Sequence, residues 1–291
     1  MVDRIPVLPG ISTLVGGYDA FVLDLWGVIH DGVKLYPGVA DTLARLKALG
    51  KPYVMLTNAP RRAPAIRAAM EEMGLARELA PHVISSGEAT WLALGDAHDP
   101  WLAGLERKCL HIGPRRDSGL FEGLDLVKVP VEEAAFIVNT GPWRDGERVE
   151  DYEATLRAGA ARGLKMICAN PDLEVIRGGR RIICAGALAQ RYEALGGTVR
   201  YYGKPHRPIY DTCFAILGAS DPRRVLAIGD SLHTDIAGAV GYGMDSVLVI
   251  GGIHGDELAA GGDRASLETR LADACTRAGH CPVAAIPGFH W

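Results

Sequence analysis

At 291 residues with a formal net charge of -4, the chain is long enough for one large α/β domain, or for a core with a smaller module set into it. A hydrophobic fraction of 48% is that of an ordinary globular protein and excludes a disordered chain. The slightly acidic balance argues against a general nucleic-acid or anionic-membrane binder, so an anionic ligand has to be held by a local positive site.

In chain order, Met1 to Gly10 has no basic start followed by a long apolar run, and no secretion signal is expected. Ala20 to Trp26 is a continuous apolar stretch interrupted only by Asp24, as suits a strand buried on both faces of a parallel sheet. From Pro37 to Leu49, residues Val39, Leu43, Leu46 and Leu49 recur at helical spacing, with Gly50 as the stop. Tyr53 to Leu56 is a predicted strand ending in Thr57 and Asn58. A helix follows from about Arg62 to Met73, then a strand from His82 to Ser86. The texture changes over 87–184, where His111 to Gly113, Leu126 to Val129, Ala135 to Val138 and Lys165 to Ala169 are short strands. Arg177-Gly178-Gly179-Arg180 marks a hairpin turn within Glu174 to Ile183.

The first grammar returns with strands at Val199 to Tyr202, Val225 to Ile228 and Ser246 to Ile250, and a helix over Ile209 to Leu217. Strand–helix alternation predicts a doubly wound, Rossmann-like parallel sheet over 1–86 and 185–291, with 87–184 inserted as an α/β cap. No run of about eighteen apolar residues exists, so no transmembrane helix is expected. The six cysteines form no Cys-x-x-Cys pair and no tight cluster with histidine. They read as reduced core residues of a cytoplasmic protein, with no zinc site.

Four features fall at the carboxyl ends of predicted strands, where a parallel sheet gathers its ligands. They are Asp24 in Asp24-Leu25-Trp26-Gly27-Val28, Thr57-Asn58, Lys204 in Gly203-Lys204-Pro205, and Gly229-Asp230-Ser231 followed by Asp235. Each alone is weak; together they form a set complete for phosphoryl transfer. A carboxylate can attack phosphorus and hold the group as an acyl phosphate. Asp24 and Asp230 repel each other unless a hard cation such as Mg²⁺ lies between them. Thr57 and Asn58 can donate to phosphoryl oxygens, and Lys204 supplies fixed positive charge. No Gly-x-x-x-x-Gly-Lys-Ser/Thr loop is present, which disfavours a nucleotide-driven kinase or ATPase of that class. Thr57-Asn58 can also be read as a helix cap, Lys204 as a solvated loop lysine, and Asp235 as a cap compatible with metal support.

In this order the four motifs resemble those of the haloacid dehalogenase superfamily, and the long insert resembles the cap of its class IIA branch of nitrophenyl-, sugar- and nucleotide-phosphatases. The resemblance spans nearly the whole chain. It implies a Mg²⁺-dependent phosphatase of small phosphorylated metabolites, with Asp24 as nucleophile and a cap-mediated homodimer. Asp24, the Trp26 backbone carbonyl and Asp230 would bind the metal, Asp235 would support it from behind, and Thr57 and Lys204 would hold the phosphoryl group. Asn170-Pro171-Asp172 resembles the branch's cap loop, which assigns Asp172 to substrate contact.

One position departs from the pattern. Superfamily phosphatases usually carry a second aspartate two residues after the nucleophile as general acid, and here that residue is Trp26. Such help is typically worth about a hundred- to ten-thousand-fold. The departure leaves open a phospho-ligand-binding protein or a phosphotransferase as rival readings, and nominates His30 or Asp31 as replacement proton donor. His206, His233 and His254, and the pairs Arg61-Arg62 and Arg115-Arg116, lie near these loops and read first as scaffold or solvated residues. Gly288 to Trp291 either packs on the core or meets a partner subunit.

Overall fold

The computed structural model describes residues 5–96, 100–102, 104–177, 180–252 and 264–291. The chain forms two compact units, one of residues 1–57, 64–84 and 210–291, the other of 58–63 and 85–209.

The first unit opens with β1 (Ala20–Asp24), α1 (Val39–Ala48), β2 (Tyr53–Thr57), α2 (Ala63–Glu72) and β3 (Val83–Ser85). Every residue of β1 and β2 is buried, as their unbroken apolarity requires in a strand covered on both faces. Helix α1 buries Val39, Thr42, Leu43 and Leu46 and closes its exposed side with an Asp41–Arg45 pair of 2.8 Å.

The second unit then supplies α3 (Ser86–Gly95), β4 (Lys108–Ile112), β5 (Val127–Lys128), β6 (Phe136–Asn139), α4 (Glu153–Ala161), β7 (Lys165–Cys168), β8 (Glu174–Arg177), β9 (Arg180–Ile183), α5 (Ala185–Ala194) and β10 (Thr198–Tyr201). Its sheet runs β10-β7-β6-β4-β5 with parallel pairing throughout, and β8 and β9 form an antiparallel hairpin. The hairpin's Gly178 and Gly179 lie outside the described residues. Ser85 caps α3 by accepting the Glu88 N–H at 2.9 Å, while the Glu88 carboxylate accepts from Ala63 N and pairs with Arg62. Leu110, Ile112, Ile137, Met166, Cys168, Leu188, Ala189 and Tyr192 fill one core of this unit.

Strand β10 is a correction to the sequence reading, which puts Val199 to Tyr202 in the first sheet. It pairs with β7 from Thr198↔Lys165 to Tyr201↔Cys168. The physical reason is burial: Val199 and Tyr201 complete the core built by α5 and β7. Strand–helix alternation runs the same way in both units, so it does not say which sheet a strand joins.

The chain finishes in the first unit with α6 (Arg207–Leu217), β11 (Val225–Gly229), α7 (Ala237–Tyr242), β12 (Asp245–Val249), α8 (Arg264–Ala278) and β13 (Ala284–Ile286). The first sheet runs β13-β12-β11-β1-β2-β3, with β1 parallel to both β11 and β2. At the C-terminus Phe289 is buried in the core, and Trp291 lies 5.5 Å from the Arg45 guanidinium. All six cysteines are free, and no helix among the described residues is long and apolar enough to cross a membrane.

Candidate active site

The residues singled out from sequence fall into two groups, one in each unit. In the first unit, β1 ends on Asp24 and β11 on Gly229, and the register Leu23↔Ile228 makes Asp24 and Asp230 neighbours at adjacent strand ends. Asp235 comes back to them through a single wide turn, Leu232–Ile236, where its Oδ2 accepts the Ser231 N–H at 3.1 Å. Carboxylate oxygens of Asp24, Asp230 and Asp235 lie within 4.8 Å of one another, and all three residues are buried. Three like charges withdrawn from water are strongly unfavourable unless a cation or protons offset them. The donors are all oxygen, with no thiolate or imidazole among them, which fits a hard divalent cation such as Mg²⁺ and not zinc.

Gly27 turns the chain beside this seat with φ +82°, a conformation that favours glycine. Thr57 ends β2 one residue past the Asp24↔Leu56 register and is also buried. It stands well before α2, which begins at Ala63, so capping that helix is not its role.

Trp26 packs edge-on against His30, with ring centroids 5.7 Å apart, and the two residues form an isolated bridge. His30 is buried, and its Nδ1 accepts the Gly32 N–H at 3.1 Å. In the neutral ring that contact leaves the proton on Nε2. Asp31 Oδ1 accepts from the N–H groups of Lys34 and Val33, both at 2.9 Å, and these bonds hold its carboxyl below the usual carboxylate range. A carboxylate so stabilised is a poor proton donor, which separates Asp31 from His30.

In the second unit, Lys204 follows β10 and is buried, with a cis peptide to Pro205. Asn58, expected to donate to a phosphoryl group, has its side-chain amide committed to protein partners. It bonds Asp172 Oδ1, the Lys204 backbone at both N and O, and Ser86 Oγ. Ser86 is the member of this network that the sequence reading misses; its only signal is a polar residue closing a predicted strand. Asp172 lies in the loop after β7, with its N–H donated to Asn170 Oδ1 at 3.0 Å.

Among the neighbouring residues, His206 stacks on Tyr201 at 4.7 Å, and burial pushes its pKa down. His233 is exposed, and His254 lies outside the described residues. Arg62 is engaged with Glu88 and lies 3.6 Å above the Trp91 ring, while Arg61, Arg115 and Arg116 are exposed.

Family models for haloacid dehalogenase-like hydrolases match residues 21–126 and 201–273. A solved hydrolase of the haloacid dehalogenase-like family from Brucella suis 1330 is 35% identical with a TM-score of 0.81, over 97% of this chain and 100% of that one. Mouse (Mus musculus) chronophin is 26% identical over 84% of each chain. An acid sugar phosphatase of Staphylococcus aureus is 24% identical, over 81% of this chain and 88% of its own. The chain belongs to the haloacid dehalogenase-like hydrolases.

Proposed function

We propose that the protein is a Mg²⁺-dependent phosphatase of a small phosphomonoester, acting through an aspartyl phosphate on Asp24, with the second unit as its cap. The observation that carries this reading is the meeting of Asp24 and Asp230, with Asp235, in one buried oxygen cluster. A similar protein, the acid sugar phosphatase, agrees with it at the level of substrate class.

In this reading a carboxylate oxygen of Asp24 attacks phosphorus as the bond to the leaving oxygen breaks, and water then hydrolyses the acyl phosphate. Asp24, Asp230 and the Trp26 carbonyl would hold the metal, and Asp235 would support them. Bound Mg²⁺ supplies the positive charge that lets a carboxylate approach a phosphate dianion. Thr57 donates to a phosphoryl oxygen, and Lys204 sets its ammonium against the charge of the transferring group. Asp172 contributes from the cap loop, and the substrate's remaining atoms are read by the cap.

Trp26 brings no proton to the leaving group, so acidic leaving groups are favoured. The same substitution supports the rival readings of a phospho-ligand-binding protein and of transfer to an alcohol. Magnesium-dependent release of nitrophenol by the wild type, abolished in Asp24→Asn, is the test of the main reading. Retained phosphate and metal binding without release favours the binding protein, and phosphorylated product in the presence of sugars identifies transfer.

A further inference from the structure

A side-chain amide offers two N–H donors and two acceptor lone pairs, and Asn58 spends all four inside the second unit. Nδ2 donates to Asp172 Oδ1 at 2.8 Å and to the Lys204 carbonyl at 2.9 Å. Oδ1 accepts the Lys204 N–H at 2.8 Å and the Ser86 hydroxyl at 3.1 Å. The reverse orientation of the amide would set Oδ1 against a carboxylate and a carbonyl, so these partners fix it. Two of the four bonds close on a single residue, Lys204, much as one strand grips the next.

The local backbone is built for that grip. Gly203 has φ +135°, and a Cβ there would fall 2.1 Å from Ser86 Oγ and 2.6 Å from Asn58 Oδ1. Only glycine therefore lets the end of β10 come within reach of Asn58. Asn58 and Lys204 are each 4% exposed, so little water competes for these bonds.

We propose that Asn58 is a positioning residue that sets the backbone of Lys204, and through it the placement of the ammonium, rather than a phosphate ligand through its side chain. The proposal rests on the hydrolase reading for what Lys204 does, and on the hydrogen bonds alone for what holds Lys204. Asp172 joins the same network as the acceptor that keeps the amide turned toward Lys204. A reacting group displaced by about 1 Å can lose on the order of a hundredfold in rate, which is the scale on which loss of Asn58 acts.

The test is a double-mutant cycle on nitrophenyl phosphate joined to hydrogen exchange at the Lys204 amide. Asn58→Ala should lower kcat by roughly ten- to a hundredfold with little change in KM. In a Lys204→Ala background the same substitution should cost less than about threefold, because the group it positions is gone. Exchange in the peptide carrying Gly203, Lys204 and His206 should be faster in Asn58→Ala than in wild type. Equal losses of kcat in both backgrounds, or unchanged exchange, would overturn the proposal. If Asn58→Ala does not fold, Asn58→Asp keeps the volume and the two acceptor contacts while losing both donations, and is read in the same way. A wild type with no phosphatase activity sinks the hydrolase reading, and exchange still decides whether Asn58 holds Lys204.

Discussion

A Cβ on Gly27 would stand 2.0 Å from Asp230 Oδ2, closer than any non-bonded contact allows. The loop that follows Asp24 thus forms one wall of the seat in which the Asp230 carboxylate lies. Gly27→Ala combines this clash with a left-handed backbone that costs an L-residue roughly 1–2 kcal/mol. Isothermal titration with Mg²⁺ should show affinity at least about tenfold weaker, the usual scale for disturbing a metal ligand's support. Unchanged affinity would mean that Asp230 does not hold the ion.

The three clustered carboxylates should make stability depend on a divalent cation. Magnesium should raise the unfolding midpoint of the wild type, by about 2.7 kcal/mol of stability at a hundred times its Kd. Asp230→Asn removes one of the repelling charges, so in chelator it should melt at or above the wild type, and added magnesium should move it little. Thermal scans with and without chelator check both arms. A variant that responds to magnesium as the wild type does contradicts the assignment of Asp230.

Trp26→Asp puts a carboxyl where superfamily phosphatases carry their acid. General acid help is worth about 10²–10⁴ in rate for a poor leaving group. Turnover of alkyl phosphates should rise by about tenfold or more, discounting for the lost indole packing, while nitrophenyl phosphate changes little. Steady-state rates over leaving groups of falling pKa measure this, and a uniform change across the series would remove the argument.

His111 gives stability a pH dependence. It lies in β4 with Nε2 3.0 Å from Thr140 Oγ1, and burial, with Lys128 adding, pushes its pKa from 6.5 down to about 4. The unfolded chain therefore takes up a proton that the folded one refuses. The contribution is whole above pH 6.5 and is lost as pH falls from there to about 4. Between about pH 7.5 and pH 4.5 the wild type should lose more thermal stability than His111→Gln, which does not titrate.

Much of the site could be read from the chain because strand-end chemistry is local. Asp24, Thr57 and Asp230 each follow an apolar run, and one parallel sheet collects their strand ends, whereas Lys204 follows a mixed strand of the other sheet. Other features left weaker traces. Helix α3, Ser86–Gly95, mixes a buried Thr90 with an exposed Leu92, so no apolar stripe announces it. In α8, Leu271, Ala274 and Cys275 carry the buried face, but the charged Glu268, Arg270, Asp273 and Arg277 around them dilute the signal. The four bonds of Asn58 join residues 28, 114 and 146 positions apart, a relationship that only the folded chain expresses.

The indole at position 26 has an optical consequence. Tryptophan emission shifts with the electric field and polarity around the ring, and this ring belongs to the loop between Asp24 and His30, against whose imidazole it packs. Filling a seat of negative charge with a cation alters that field. The side chain standing where an acid is customary should thus serve as a built-in fluorescent gauge of occupancy, one that Trp26→Phe would silence while the four other tryptophans supply the background.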